Sequence, residues 1–237
     1  GSVEDTDWLY DYPNGIGPIE EVRDFAAGVG MTVTSPELDG VVRRMPLMIQ
    51  VKGEVYPTLP MEVLRVLGGD KGYQIKTDYA GVNAIRLKNI GTFKTDENAR
   101  VWINFDTEFD KISVTSDNWS KVNKRIAVIA LTAEGLSNTV ATPISVSNGH
   151  ELNLQVIETL ANDNALTRPV ESTLYEIIFT FILSLTLTLC ALRFLWVINS
   201  LLIAITIGAL PILGFDLFIK HNLLIDYTYP VYSSFIV

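Results

Sequence analysis

Two long apolar runs near the C-terminus constrain this chain more than any other feature. Ile177 to Leu192 contains no charged residue, and Phe194 to Phe215 adds 22 residues without a charge. About 20 consecutive apolar residues are enough for a helix to cross a bilayer. The second run therefore predicts a membrane-spanning helix by itself, and the first does so with its apolar flanks. A helical hairpin in a soluble core is the alternative, but two successive runs this apolar favour the membrane.

The whole C-terminal region is equally poor in charge. Residues 172–237 contain five charged side chains: Arg193, Lys220, Glu176, Asp216 and Asp226. We predict a transmembrane region here, with spans at about 173–194, 195–218 and 223–237, the last of them truncated. Glu176 is expected to reach the headgroup level near the outer end of the first span. Too few charges flank the spans for the positive-inside rule to set their orientation.

Residues 1–171 have the composition of a soluble domain. They carry 16 of the 18 Lys and Arg and 24 of the 27 Asp and Glu, a formal charge of −8. This length is sufficient for one hydrophobic core. The acidity disfavours nucleic acid, which binds to basic surfaces, so no nucleic-acid partner is expected.

Helix and strand signals alternate along these 171 residues, which predicts an α/β fold with a mixed sheet. Helices are predicted over 18–30, 58–69 and 150–163 from their caps and apolar spacing. The first would bury Ile19, Val22, Phe25 and Ala26, and the third Leu152, Val156, Ile157 and Leu160. Strands are predicted over 31–34, 41–51, 84–87 and 99–105, with turns at Asp39-Gly40 and Lys52-Gly53-Glu54.

The run KRIAVIAL, Lys124 to Leu131, is predicted as the central strand of the sheet. A continuous apolar run is typical of a strand that is buried on both faces. Loops that follow such strands are where α/β proteins bind ligands, so the loop from Thr132 to Pro143 becomes the leading pocket candidate.

The candidate ligand-binding residues combine this loop with nearby polar positions. The alternative interpretation is that the loop hydroxyls and amides cap turns, that Glu151 stabilises a helix N-terminus and that Asn104 bridges to a neighbouring loop. The candidates are Thr132, Ser137, Asn138, Thr139, Thr142, Glu151, Asn153, Asn104 and Arg44.

Arg43 and Arg44 raise a separate question, because they are adjacent at the start of an apolar strand. Neighbouring side chains of an ideal strand point to opposite faces, so the two cannot both reach one ligand. We expect one arginine along a solvent face and the other paired with a carboxylate such as Glu37 or Asp39. The alternative is an anion site, since the guanidinium fork suits carboxylate or phosphate.

No catalytic motif is present in the sequence, so we predict that this chain is not an enzyme. The patterns GxSxG, HExxH, CxxC and GxxxxGK[ST] are all missing. Cys190 is the only cysteine, and His150 and His221 lie 71 positions apart. No disulfide within the chain, no metal and no cofactor are expected.

The order of several segments resembles one family, the CHASE2 domains. These are extracytoplasmic sensory domains of bacterial receptors, and the resemblance extends over about residues 8–237. Asn153 and Gln155 depart from it, because His and Asn are common there in the family. The matching segments are DGVVRRMPLMI at 39–49, EVYPTLPMEVLRV at 54–66, VWINF at 101–105, KRIAVIALTAEGLSNTVATPIS at 124–145 and GHELNLQVIETL at 149–160.

The resemblance implies the C-terminal part of a sensory domain, residues 1–171, followed by transmembrane helices. Such a domain lies outside the cytoplasmic membrane of a bacterium, and three helices lead to a cytoplasmic nucleotide cyclase or kinase. The resemblance places Arg193 inside the cell and Lys220 outside. The implied partners are an unknown small-molecule ligand, the lipid bilayer and a second copy of the chain in a homodimer.

Two other functional classes remain alternatives at this stage. A membrane-anchored envelope enzyme would need titratable residues that converge in one cleft. An accessory subunit of a transporter would use its spans to dock a partner channel. Neither has a motif in residues 1–171, and the receptor interpretation is preferred.

Overall fold

The computed structural model describes residues 7–113, 119–133, 138–169, 171–193 and 196–236. The chain divides into two compact units, Gly1–Ala165 and Leu166–Val237. The first unit is a mixed α/β structure, as predicted, and the second is helical.

Among the described residues, the strands of the first unit form four small sheets, where the sequence predicted one mixed sheet. The first sheet is mixed, since β1 pairs parallel to β3 and β3 antiparallel to β4. Antiparallel pairing joins β2 to β8, β5 to β6 to β7, and β9 to β10. The bounds are β1 Asp11–Tyr12, β2 Arg44–Pro46, β3 Met48–Val51, β4 Glu54–Pro57, β5 Gln74–Asp78, β6 Gly81–Leu87, β7 Gly91–Lys94, β8 Arg100–Trp102, β9 Thr139–Ala141 and β10 Val146–Asn148.

In the part of the unit that the structure describes, three α-helices and one 3-10 helix accompany these strands. They are α1 Glu20–Arg23, α2 Leu59–Gly68 and α3 Gly149–Ala161, with the 3-10 helix at Trp119–Val122. The predictions of α2 and α3 are confirmed. In contrast, α1 has four residues and buries none of them, so its predicted apolar stripe is wrong: Ile19 and Phe25 are exposed.

Turn chemistry explains the best-defined hairpin. Lys52 and Gly53 have φ angles of 53° and 82°, and the turn joins β3 to β4 with Val51 opposite Glu54. Positive φ at both central residues matches the right-handed twist of paired strands. The predicted turn at Asp39-Gly40 also forms, with φ of 79° at Gly40. The strand expected before it, residues 31–34, is wrong, because there only Met31 makes a β-bridge, with Thr58.

The core lies between α2, α3 and the strands β2, β6 and β8. The spacing that predicts the buried face of α3 is confirmed, because α3 packs on α2 through an apolar stripe. Core residues from these elements and their flanks include Met45, Leu47, Met61, Leu64, Ile85, Leu87, Val101, Ile103, Leu152, Val156, Ile157 and Leu160.

The predicted central strand, Lys124 to Leu131, is wrong. The segment has no strand assignment, and Ile129 and Leu131 are 88% and 72% exposed. Within the described residues no strand pairs with it, so its apolar side chains have no neighbouring sheet to pack against. A central position belongs instead to β6, which lies between β5 and β7 and buries Val82, Ile85 and Leu87.

The described residues of the second unit form three helices, and each contacts the other two. They are α4 Ser172–Arg193, α5 Trp196–His221 and α6 Thr228–Ile236. Of the described helices, α4 and α5 are long and apolar enough to cross a membrane, with mean hydropathies of 1.9 and 2.2. They are not the buried helices of a soluble core, since 11% and 0% of their most apolar windows are buried. With nine residues, α6 leaves the third span a prediction.

Candidate functional site

Both arginines of the pair bind one carboxylate, that of Glu37. Arg43 Nη1 lies 3.2 Å from Glu37 Oε2, and Arg44 Nε lies 2.9 Å from Glu37 Oε1. The expectation that the two arginines cannot both reach one group is therefore wrong, while the pairing with Glu37 or Asp39 is confirmed. Arg43 is the more exposed of the two, with 33% of its side chain exposed against 22% for Arg44. Arg43 precedes the first residue of β2, so the strict alternation of an ideal strand does not separate the two side chains.

Two further carboxylates, those of Asp39 and Asp96, belong to this network. Asp39 accepts two hydrogen bonds from Arg43, which are the largest cause of lowering the pKa of Asp39 to about 2. Asp96 accepts hydrogen bonds from Arg44 at 3.0 Å and from Arg100 at 2.8 Å. Three guanidinium groups thus meet three carboxylates. This neutral arrangement favours a structural role, and a ligand role for Arg44 stays a prediction.

An aromatic ring supports Arg44 as well. The Arg44 guanidinium carbon lies 4.8 Å from the centre of the Trp102 ring, within the range of a cation–π contact. Arg44 and Trp102 are paired residues of β2 and β8. The network therefore fastens the edge of this small sheet to the loop that carries Glu37.

The predicted pocket loop leads into the ribbon of β9 and β10. The hydroxyl of Thr142, which is buried, donates to the carbonyl of Ser145 at 2.6 Å. The Asn138 carbonyl accepts the N–H of Gly149 at 2.8 Å, and Thr139 pairs with Asn148 across the ribbon. These contacts match the turn-capping alternative. Thr132 is exposed, and Ser137 lies outside the described residues.

Glu151 and Asn153 open α3 beside this ribbon. Glu151 accepts from Lys111 Nζ at 2.7 Å and from Asn148 Nδ2 at 3.1 Å, and the bond from Lys111 is the largest cause of its lowered pKa. Asn153 is 5% exposed and donates through Nδ2 to the carbonyl of Gly149 at 2.8 Å. Its Oδ1 is buried and has no hydrogen-bond partner among the described residues. A buried acceptor of this kind is costly unless a donor satisfies it.

Asn104 lies at the other end of α3. Its backbone N–H donates to Thr159 Oγ1 at 3.2 Å, so the bridge predicted to a loop reaches the helix instead. Gln155 donates to the carbonyl of Thr107 at 2.6 Å, and its Oε1 is also buried without a partner in the described structure. The fold thus gathers Asn138, Thr139, Glu151 and Asn153 near the start of α3. It leaves Thr142 in the turn at the other end of the ribbon, and Asn104 and Arg44 elsewhere.

One buried polar cluster was missed by the sequence analysis. Glu62 in α2 is 7% exposed and binds Arg65 through two hydrogen bonds, of 2.7 Å and 2.8 Å. The Tyr73 hydroxyl also donates to Glu62. The pKa of Tyr73 is raised, mainly by burial and next by this hydrogen bond. The i,i+3 spacing of Glu62 and Arg65 on a predicted helix is the signal that could have found the pair.

Two open grooves occur in the described part of the first unit, and neither contains a predicted site residue. One, of about 460 Å³, lies between residues 12–18 and 29–34. The other, of about 440 Å³, is lined by residues 69–74 with Lys88 and Asn89. The described residues contain no group of three His, Cys, Asp or Glu that could hold a metal ion.

The described chain is a mixed α/β unit followed by two helices that are long and apolar enough to span a membrane. The family model described as CHASE2 domain matches residues 8–191, which is most of the chain. The chain belongs to the CHASE2 family, and the resemblance stated above is confirmed. CHASE2 domains are extracytoplasmic sensory domains. Comparison with curated proteins and with solved structures finds no match.

Proposed function

We propose that this chain is the ligand-sensing and transmembrane signalling portion of a bacterial receptor in the cytoplasmic membrane. The observation that carries the proposal is the extent of the family match. It runs from the mixed α/β unit through residue 191, close to the end of the apolar helix α4. In this proposal, a conformational change of the sensory domain passes into the membrane through α4, which follows the domain in the chain. The proposed output is a cytoplasmic nucleotide cyclase or kinase domain.

The mechanism we propose is a shift between two conformations. A ligand changes their populations only through a difference in its affinity for the two states. The sequence contains no catalytic motif, and the first unit contains buried polar groups such as the amide of Asn153. Binding energy, rather than chemistry, would therefore be the input of this domain.

The membrane arrangement can be tested with single cysteines, because Cys190 is the only native one. In a Cys190→Ser background, cysteine is introduced at Lys71, exposed in the first unit, or at Arg193, exposed at the end of α4. A membrane-impermeant maleimide should label the Lys71→Cys variant in intact spheroplasts. It should label the Arg193→Cys variant only after permeabilisation. Labelling of both variants, or of neither, in intact spheroplasts would contradict a crossing by α4.

For the ligand site we propose the start of α3, where Asn153 Oδ1 is the unsatisfied acceptor. Asn138 and Thr139 of the ribbon and Glu151 of the helix lie at the same end of α3. Thr142 lies in the turn of the ribbon, and Thr132 and Ser137 precede the ribbon in the sequence. The side chains of Thr142 and Glu151 already have hydrogen-bond partners in the protein. Asn153 Oδ1 can still accept a hydrogen bond from a hydroxyl, amine or amide group. The proposed ligand is therefore a small molecule that carries such a donor.

This site predicts a selective loss of binding in Asn153→Leu. Thermal unfolding of the full chain in nanodiscs would be followed with a panel of small amines, amides and polyols. For a compound that stabilises the parent chain, we expect Asn153→Leu to raise Kd about fivefold or more, the value of one hydrogen bond. Asn123→Leu, a change of an exposed asparagine, is the control. Equal stabilisation of the parent and Asn153→Leu would place the site elsewhere.

A further inference from the structure

The segment that leads into α4 is hydrogen-bonded to the connection between α5 and α6. The Thr167 N–H donates to the carbonyl of Asn222 at 2.7 Å, and the Leu224 N–H donates to the carbonyl of Thr167 at 2.8 Å. A parallel β-bridge pairs Thr167 with Leu223. The residues just before α4 therefore contact those just before α6, although 55 positions separate Thr167 from Asn222.

Glu176, in the second turn of α4, joins the same two segments. Its Oε2 accepts from Arg168 Nη2 at 2.8 Å, and its Oε1 accepts the backbone N–H of Asp226 at 2.8 Å. Glu176 is 7% exposed, and its position at the headgroup level stays a prediction. A carboxylate buried to this degree is stable only when an opposite charge and hydrogen bonds satisfy its oxygens. Here the partners are Arg168, in the linker of residues 166–169 that leads into α4, and Asp226, just before α6.

Asp226 in turn holds the first residue of α6. Its Oδ1 accepts the backbone N–H of Thr228 at 2.9 Å and also a hydrogen bond from the Thr228 hydroxyl. An aspartate that accepts the N–H two residues further on forms an Asx turn, which fixes the backbone that leads into the helix. Glu176 is thus bonded to the residue that holds the N-terminus of α6.

We propose that Arg168, Glu176 and Asp226 form a latch that couples the segment leaving the sensory domain directly to α6. Loss of Arg168 from the latch leaves a buried carboxylate without its cation, which destabilises the bond to Asp226 as well. The contacts therefore form or break together and provide the two discrete arrangements that coupling needs. A displacement of the linker reaches α6 through this latch, in parallel with the covalent path along α4 and α5.

The test measures at α6 the effect of a change in the linker. Hydrogen exchange of the full chain in nanodiscs would be followed in peptides that cover residues 222–231, which include the bonded amides of Leu224, Asp226 and Thr228. In Arg168→Gln we expect their exchange to accelerate about tenfold or more, with no change in peptides from the centre of α5. Arg168→Lys keeps the cation and should stay close to the parent chain.

Glu176→Gln provides the matched comparison from the other side of the ion pair. It should accelerate the same amides, whereas Glu171→Gln, the same change at an exposed glutamate of the adjoining segment, should not. Unchanged exchange at residues 222–231 in Arg168→Gln would overturn the proposal. So would equal acceleration throughout α5 and α6, because that result indicates general loosening of the unit.

A second measurement remains decisive where a latch variant fails to fold. In a Cys190→Ser background, Thr167→Cys and Leu223→Cys occupy the two positions of the β-bridge. Mild oxidation should form an intramolecular disulfide in this otherwise intact latch, and failure to form it would overturn the proposed contact. The direction of signalling through the latch rests on the proposed receptor function. Hydrogen exchange and disulfide formation, however, need neither a ligand nor an output domain. If these two measurements contradicted the latch, the maleimide-labelling test of the membrane crossing would be unaffected, and a failed labelling test would not affect the latch.

Discussion

Replacing Glu62 with Leu should lower the free energy of unfolding of the first unit by about 3 kcal/mol, the cost of breaking a buried ion pair by removing one partner. The largely buried carboxylate of Glu62 accepts hydrogen bonds from Nε and Nη2 of Arg65 and from the Tyr73 hydroxyl. Without the carboxylate, Tyr73 loses its acceptor and Arg65 loses its counter-ion. Tryptophan fluorescence during urea unfolding is a suitable measurement, because Trp8 packs against the core of this unit.

Two further variants separate the ion pair from the loss of a polar side chain. Glu54→Leu removes an exposed glutamate whose carboxylate accepts a bond from the exposed Tyr56, and it should change the stability by less than about 0.5 kcal/mol. Tyr73→Phe removes one of the donors to Glu62 and should have an intermediate effect, of about 1 kcal/mol. Equal stabilities of Glu62→Leu and Glu54→Leu would show that the cluster contributes nothing.

Sequence reasoning succeeded here where the structure depends on neighbouring residues. The Lys52-Gly53 turn follows from the residues that tolerate positive φ, and α2 and α3 follow from apolar spacing and end signals. The two apolar helices of the second unit follow from length and composition alone. In each case the determining interactions lie within a few positions along the chain.

It failed where the outcome depends on a distant partner. Lys124 to Leu131 has the composition of a buried strand, but an apolar strand is buried only where another strand pairs with it. The arginine pair shows the same limit. Glu37 and Asp39 are close in sequence and were proposed as partners, whereas Asp96, 52 positions from Arg44, could not be.

The candidate ligand site shows a third kind of limit. Polar residues of a loop and a helix start can be selected from sequence, but their state of hydrogen bonding cannot. Thr142 is satisfied by its own turn, and Asn153 Oδ1 is buried without a partner in the described structure. The latch is similar, because nothing in the sequence around Glu176 indicates that Arg168 and Asp226 occupy its two oxygens.

The second large effect is expected at Gly81, which begins β6. Its φ angle is 128°, and a Cβ there would lie 2.6 Å from the carbonyl oxygen and 2.9 Å from the Cα of Glu97. That carbonyl also accepts the N–H of Val82 at 3.0 Å, so it cannot retreat without losing a bond. Gly81→Ala combines backbone strain of about 1–3 kcal/mol with this clash. We expect the free energy of unfolding to fall by about 3 kcal/mol in urea titrations.

Gly91 provides the control for that substitution because it begins β7, the strand paired with β6. A Cβ on Gly91 would meet no heavy atom within 4 Å, and its φ lies outside the strained range. Gly91→Ala should therefore change the stability by less than about 0.5 kcal/mol. If Gly81→Ala proved as mild as Gly91→Ala, the approach of residue 97 to the start of β6 would be wrong. The position of Asp96 beside Arg44 would then be in question too, because Asp96 and Glu97 are consecutive.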